Sequence, residues 1–269
     1  MSSKIIVCYL CSPYASMNAI NNFVKFYKKY KSGIKHNLII CFKNFGKKKI
    51  KFIQDKYLSN LKYIPFIDPE TKNDFDFGSY LRVAIKYPKS RFFFMNSHSY
   101  PIANKWLYKI NHKFKKKTII APSGSYQSLS YNARFRNEGD NYFVFVYKII
   151  RSLIHFKNFP NPHLRTSNLY ISARDFINFM KGKKISSKFD AYKLESGKSG
   201  LSEYFKKRNY KLLVVNSKGE LFSEPNWRDS NTYAIDNQRF AIIWDKHTKK
   251  FSKLTKKRKR KFQLTVWGK

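Results

Sequence analysis

Continuous apolar runs separated by amphipathic segments constrain this chain more than any other feature. IIVCYLC (5–11), HNLIICF (36–42) and RFFFMN (91–96) show no polar alternation, so strands built from them must be buried on both faces. Between the first two, INNFVKFYKKYKSG places Ile20, Phe23, Val24, Phe26, Tyr27 and Tyr30 at helical spacing and stops at Ser32-Gly33. KKKIKFIQDKYLSN gives a second amphipathic helix and LKYIPFID a short third strand. Strand, helix, strand, helix, strand over the first 70 residues is the pattern of a parallel sheet covered by helices. Ligands of such sheets bind beyond the carboxyl ends of the strands.

The pattern continues less regularly. In NDFDFGSYLRVAIKYP, Asp74 or Asp76 can cap a helix from about Gly78 to Tyr87. RFFFMN is the fourth, central strand, and its apolar run ends abruptly in Asn96, Ser97 and His98. IANKWLYKINHKF reads as a helix and KKTIIAPSGS as a fifth strand ending in a loop. SNLYISARDFINFMKG reads as a strand entering a helix that Gly182 stops. GLSEYFKKRNYKLLVVNSKGELF gives a helix, a strand and a turn at Lys218-Gly219. With no repeats and no Gly/Ser linker, the expectation is one α/β domain over 1–250. Residues 130–162 are read as a basic irregular insertion and 251–269 as a basic C-terminal tail.

Composition narrows the partners. Hydrophobic residues make up 42% of the 269, enough for a sizeable core. Lys and Arg number 55 against 16 acidic residues, a net charge of +39, which attracts nucleic acid, anionic lipid or phosphorylated small molecules. Lys, Asn, Ile, Phe and Tyr are also what an AT-rich coding sequence supplies, so charge alone does not choose among these. Three cysteines, an odd and small number, argue against a disulfide framework and fit a reducing compartment. Cys8 and Cys11 have no second pair for zinc and read as small core residues. The first apolar run is explained better by a strand than by a signal peptide, and no window reaches the ~20 apolar residues of a membrane span. YFVFVYKIIRSLIHFKNF (142–159) is either a core helix with a basic outer face or a segment lying on an anionic membrane. A cytoplasmic protein, peripheral on the inner face of the membrane at most, is the expected localisation.

The dinucleotide, P-loop, nucleophile-elbow, metalloprotease, zinc-finger and RRM signatures are all absent. Three pieces remain informative. The first is the pair Asp74 and Asp76 in an acid-poor chain, with Arg82 one turn into the helix, where it could face a phosphate. The second is Asn96-Ser97-His98 at the strand tip. The third is FDAYKLESGKSGLSEYF, with Glu195 before Ser-Gly-Lys-Ser-Gly on a small-residue loop that leads into a helix; a carboxylate there suits a general base, or is simply a helix N-terminal carboxylate favoured by the dipole.

This order of pieces resembles the nucleotide-sugar-dependent glycosyltransferases of the GT-A fold. HLRTSNLYISARDFINF looks like the acceptor-side segment of bacterial surface-polysaccharide transferases, and FDAYKLESGKSGLSEYFKKRNYKLLVVNSKGELF looks like their C-terminal half. The resemblance spans roughly residues 4–245. It implies a GT-A-like architecture, a mostly parallel central sheet flanked by helices, and a hexosyltransferase-like activity in cell-surface polysaccharide synthesis. The implied partners are a nucleotide-sugar donor and a glycan or lipid-linked acceptor.

It also implies roles. Ser12 and Pro13 would border the donor base. Asp76, with Asp74 and Arg82, would serve the donor side, as would Asn96, Ser97 and His98. Glu195 would be the general base, and His163 and Arg165 would line the acceptor or phosphate side. The family's Asp-x-Asp, which holds Mn²⁺ or Mg²⁺ on the diphosphate, is replaced by Asn96-Ser97-His98. His98 is then the metal-ligand candidate, and the alternative is that Lys and Arg neutralise the diphosphate without a metal. Competing with this reading is a non-catalytic nucleic-acid binder, favoured by charge and by 19 Tyr and 25 Phe. A peripheral membrane module is compatible with either.

Overall fold

A computed structural model describes residues 4–70, 74–133 and 141–268. The apolar runs become β1 (Ile5–Cys11), β2 (Asn37–Phe42), β3 (Ile64–Ile67) and β4 (Arg91–Met95), connected through α1 (Met17–Lys29), α2 (Lys47–Ile53) and α3 (Phe75–Lys86). A short strand β5 (Tyr100–Pro101) and α4 (Trp106–Asn111) precede β6 (Thr118–Ala121) and β7 (Gly124–Ser125). After α5 (Leu129–Asn132) and α6 (Tyr142–His155) come β8 (His163–Leu164), β9 (Asn168–Ser172) and α7 (Ala173–Met180). Then follow α8 (Lys188–Ser196), α9 (Leu201–Lys206), β10 (Lys211–Val215), β11 (Leu221–Phe222), β12 (Ile243–Trp244), α10 (Lys246–Ser252) and α11 (Lys256–Trp267).

Eight strands form one sheet in the order β11-β10-β6-β9-β4-β1-β2-β3. β1 to β4, β6 and β10 run one way, while β9 and β11 run against them. The expected mostly parallel central sheet flanked by helices is therefore present. Successive residues of β1 explain why its sequence does not alternate. Ile6, Cys8 and Leu10 pack with α3 and α7, while Val7 and Tyr9 pack with α1, α2 and α4 on the opposite face. Cys8, Cys11 and Cys41 are free and buried, as small core residues.

Two features decide where a ligand can sit. From β1 the chain steps outward through β2 and β3, then crosses back to β4 on the other side of β1. The strand order reverses there, and in sheets of this kind such a reversal is where a crevice lies beyond the carboxyl ends. β9 is antiparallel, pairing Asn168 with Met95, so the residues that enter β9 arrive at the same carboxyl edge.

Two segments differ from the sequence expectation. Residues 142–155, inside the segment read as an irregular insertion and, alternatively, as a core helix or a membrane-surface segment, form the regular helix α6, with Asn141 Oδ1 accepting the Val144 N–H at 2.8 Å, and large apolar side chains such as Phe143 and Ile154 are exposed rather than in the core; residues 134–140 of that insertion lie outside the described residues. The run 251–269, expected as a basic tail, forms the end of α10 and all of α11 through 267. Phe251, Val266 and Trp267 are buried, and the Trp267 indole donates to the Tyr233 carbonyl at 3.1 Å. A count of charges missed these three apolar anchors.

Candidate functional site

Ser12 leaves β1 and Asn96–His98 leave β4 at the crevice. The Ser12 and Ser97 hydroxyls lie 3.2 Å apart, and the Tyr9 hydroxyl donates to the Ser97 carbonyl at 2.6 Å. Asn96 Oδ1 accepts from the His98 N–H at 3.1 Å and the Ser99 hydroxyl at 2.7 Å, closing the strand tip into a tight turn. The Asn96 N–H donates to the Ser167 carbonyl at 3.0 Å, which joins the strand tip to the entry of β9.

Two cavities open here, of about 490 Å³ and 310 Å³, and both are lined by Phe75, Asp76, Asn96 and Lys188. The larger also takes in His163, Arg165, Glu195, Tyr233 and Lys250. The smaller takes in Ser12, Lys43, Ser97 and His98. Eight of the residues singled out in the sequence therefore converge: Ser12, Asp76, Asn96, Ser97, His98, His163, Arg165 and Glu195. Pro13, Asp74 and Arg82 line neither cavity.

Asp74 and Arg82 are occupied with each other. Asp74 stands at the N-cap of α3, but its side chain makes no cap hydrogen bond. It pairs instead with Lys43 and with Arg82 Nη1. Arg82 directs Nε and Nη2 at Asp68, at 2.6 and 2.7 Å, so the guanidinium that could have faced a phosphate forms a fork on carboxylates. Gly78 makes room for this arrangement, because a Cβ there would lie 1.8 Å from Asp74 Oδ2. Lys43 is 1% exposed and also donates to the Phe75 carbonyl at 3.0 Å, where Phe75 holds a left-handed φ of 55°. Backbone in that region is strained for a bulky residue and marks a built position at the start of α3. Lys43 and Asp68 are absent from the sequence reading; each directly follows a strand, Lys43 after the buried β2 and Asp68 after the more exposed edge strand β3, and that position at the carboxyl edge is a signal that could have found them.

Asp76 is the unusual group. Among the described residues its carboxyl has no hydrogen-bond or ion-pair partner. Burial pushes its pKa up to about 6; Lys43 pulls against the rise and Glu195 adds to it. The Tyr80 hydroxyl, on the same cavity, is also buried without a partner among the described residues. A carboxyl whose folded pKa is raised binds protons more tightly in the folded chain, so it destabilises the fold as pH rises from about 4 through about 6. Asp76→Asn is accordingly expected to be about 1–3 kcal/mol more stable than wild type at pH 8, with the gap closing by about pH 4. Denaturant titrations at the two pH values check this, and equal stability at pH 8 would contradict it.

Glu195 sits near the end of α8 rather than on the loop the sequence suggested. Ser187 and Asp190 form a capping box that starts this helix, and the Gly197 N–H bonds the Lys193 carbonyl to end it. Its carboxylate is thus at a helix C-terminus, where the dipole does not favour it. Oε1 accepts the Thr166 N–H at 2.9 Å, and Oε2 has no partner among the described residues.

Across the larger cavity, His163 Nδ1 lies 2.8 Å from the Asn161 carbonyl, which fixes Nδ1–H as donor; burial lowers the ring's pKa against the pull of Glu195. Arg165 is buried and pairs through Nη2 with Asp245 at 2.8 Å, while its guanidinium stacks 3.8 Å from the Tyr233 ring. Burial alone would raise the Asp245 carboxyl; Arg165 and the Thr248 amide bring it down to about 2. Asp245 was not singled out in the sequence.

The strand tip does not fit a divalent cation. Asn96 Oδ1 is committed to its turn, and Ser97 contributes a hydroxyl bonded to Ser12. His98, its pKa lowered by burial and by Lys246 against Asp245, has no carboxylate beside it in the smaller cavity except Asp76. No three His, Cys, Asp or Glu side chains among the described residues gather as ligands. Mn²⁺ and Mg²⁺ need harder, more anionic donors. Cations are plentiful by contrast: Lys188 stands at both cavities and Lys250 at the larger.

No protein-family model matches the chain, and no curated protein matches it in sequence. Among solved structures it is similar to a 4-diphosphocytidyl-2C-methyl-D-erythritol synthase, over 84% of this chain and 95% of that one, with 5% identity and a TM-score of 0.47. It is similar to HddC from Yersinia pseudotuberculosis over 75% of this chain and 96% of that one, at 10% identity and a TM-score of 0.39. A third likeness is to core-mannan synthase A from Aspergillus fumigatus in its Mn/GDP form, over 77% of this chain and 65% of that one, at 10% identity and a TM-score of 0.37.

Proposed function

We propose that this chain is a glycosyltransferase that moves a sugar from a nucleotide-sugar donor to a hydroxyl of a glycan or lipid-linked acceptor, in the building of a cell-surface polysaccharide. The observation that carries the reading is the Asp76 carboxyl, unpartnered among the described residues and shared by two cavities at the carboxyl edge of the sheet, with Glu195 on the larger one. The smaller cavity, with Ser12, Ser97 and His98, takes the nucleotide. The larger takes the sugar and the acceptor.

Lys188, at both cavities, neutralises the diphosphate in place of a metal ion. Glu195 Oε2 removes the acceptor's proton as the acceptor oxygen bonds the anomeric carbon and the bond from that carbon to the diphosphate breaks. The nucleoside diphosphate leaves with the electron pair. A nucleic-acid role is less well supported, because many of the aromatics that could stack bases, such as Phe92, Phe93, Phe94 and Tyr170, are core residues.

Calorimetry against UDP-, GDP-, CDP- and TDP-linked sugars tests this. One of them is expected to bind in EDTA as it does in Mn²⁺, with Asp76→Ala at least about tenfold weaker. If no species binds, or Asp76→Ala binds as wild type does, the reading fails.

A further inference from the structure

α6 is capped and regular, yet it turns its apolar side outward. Phe143, Tyr147, Ile150 and Ile154 fall at i, i+4, i+7 and i+11, on one narrow stripe of the helix. They are 83, 59, 53 and 61% exposed, and Ser152 is the helix's buried residue. A contiguous stripe of large apolar side chains on an exposed face marks an interaction site rather than a packing accident.

The helix is held rigidly from behind. The Arg151 guanidinium lies 3.9 Å from the Phe189 ring. The Lys198 N–H donates to the His155 carbonyl at 2.8 Å, and its ammonium to the Leu153 carbonyl at 2.8 Å. A stripe on so firm a support is presented, not frayed.

Charge selects the occupant. A second copy would bring +39 against +39, which disfavours self-association through this face. An anionic bilayer surface offers an acyl boundary for the stripe, and its negative headgroups attract a chain of net charge +39. Lys256, Lys257, Arg258, Arg260 and Lys261 of α11 are exposed and add to that attraction. At 14 residues α6 is about 21 Å long, and no helix among the described residues is long and apolar enough to cross a membrane.

We propose that α6 is an interfacial anchor whose Phe143–Tyr147–Ile150–Ile154 stripe inserts among the headgroups of an anionic bilayer. Lys198, which clamps the end of α6, is three residues beyond Glu195 of the larger cavity, so the segment that ends α8 also supports the anchor. The anchor is independent of the glycosyl-transfer reading.

The test is flotation of the full chain with phosphatidylcholine vesicles, with and without phosphatidylglycerol, at about 0.15 M and 0.5 M salt. Wild type is expected to float with the anionic vesicles and to keep measurable binding at the higher salt. Phe143→Ser/Ile154→Ser, altering only exposed side chains, is expected to bind at least about tenfold less and to lose the salt-resistant part. Separately, Phe143→Trp is expected to be quenched by brominated lipid beyond the wild-type tryptophans. The proposal is overturned if the double variant floats as wild type does, which would leave charge alone as the cause. It is equally overturned if wild type binds neither vesicle, if Phe143→Trp shows no added quenching, or if the stripe holds a dimer that the double variant loses.

Discussion

Glu195→Gln is expected to lower sugar transfer roughly 10²–10⁴-fold while leaving donor binding unchanged. Glutamine keeps the acceptor that the Thr166 N–H needs at 2.9 Å, so α8 and the entry to β9 keep their geometry. What it removes is the basic Oε2. The loss should therefore fall on kcat, and the melting temperature should stay within a degree or two of wild type. Release of nucleoside diphosphate from the donor found by calorimetry measures it. A variant within about threefold of wild type would rule out Glu195 as the base. Asp76→Asn, run beside it, separates the two carboxylates: a large drop in rate for Asp76→Asn with none for Glu195→Gln would move the base to the group whose pKa is already about 6.

Arg165→Met is expected to destabilise the protein by about 3–5 kcal/mol at pH 7. Asp245 is 2% exposed, and without the guanidinium at 2.8 Å its charge stays buried with only hydroxyl and amide donors. For a chain of this size the loss corresponds to a fall in melting temperature of roughly 6–20 °C. The sign with pH is diagnostic. In wild type the Asp245 pKa is lowered to about 2, so its stabilisation is present above the unfolded value near 4 and disappears as pH falls through about 2. In the variant the unpaired carboxyl is raised instead, so the deficit should shrink on acidification. Arg165→Met/Asp245→Asn should recover part of the loss at pH 7. A single variant as stable as wild type would show that this pair contributes nothing to the fold.

Much of the framework is legible in the sequence because periodicity reports burial. A run such as RFFFM can satisfy its neighbours only when both faces are covered, and the tip residues Asn96, Ser97 and His98 must then lie on the edge. The helical spacing of Phe23, Tyr27 and Tyr30 likewise requires a partner surface, which the sheet provides. Glu195 was placed one element too late because Ser196-Gly197 looked like the loop, whereas the Ser187–Asp190 capping box starts a helix that runs through it. The tail was misjudged because charge counts outweighed Phe251, Val266 and Trp267.

By itself, then, the sequence determined the parallel α/β framework and the edge that carries the cleft, and it pointed to eight of the side chains along it. Only the tertiary structure decided which charges pair and which stay unsatisfied. Arg82 is taken by Asp68 and Asp74, and Arg165 by Asp245, while among the described residues Asp76 is left without a partner and Glu195 with one free oxygen. Local spacing fixes the face a residue occupies. Pairing depends on sheet order, and here on the reversed β9, which brings the Arg165–Ser167 segment to the tip of β4. Distant charges meet only through such crossings, and the same crossings desolvate them.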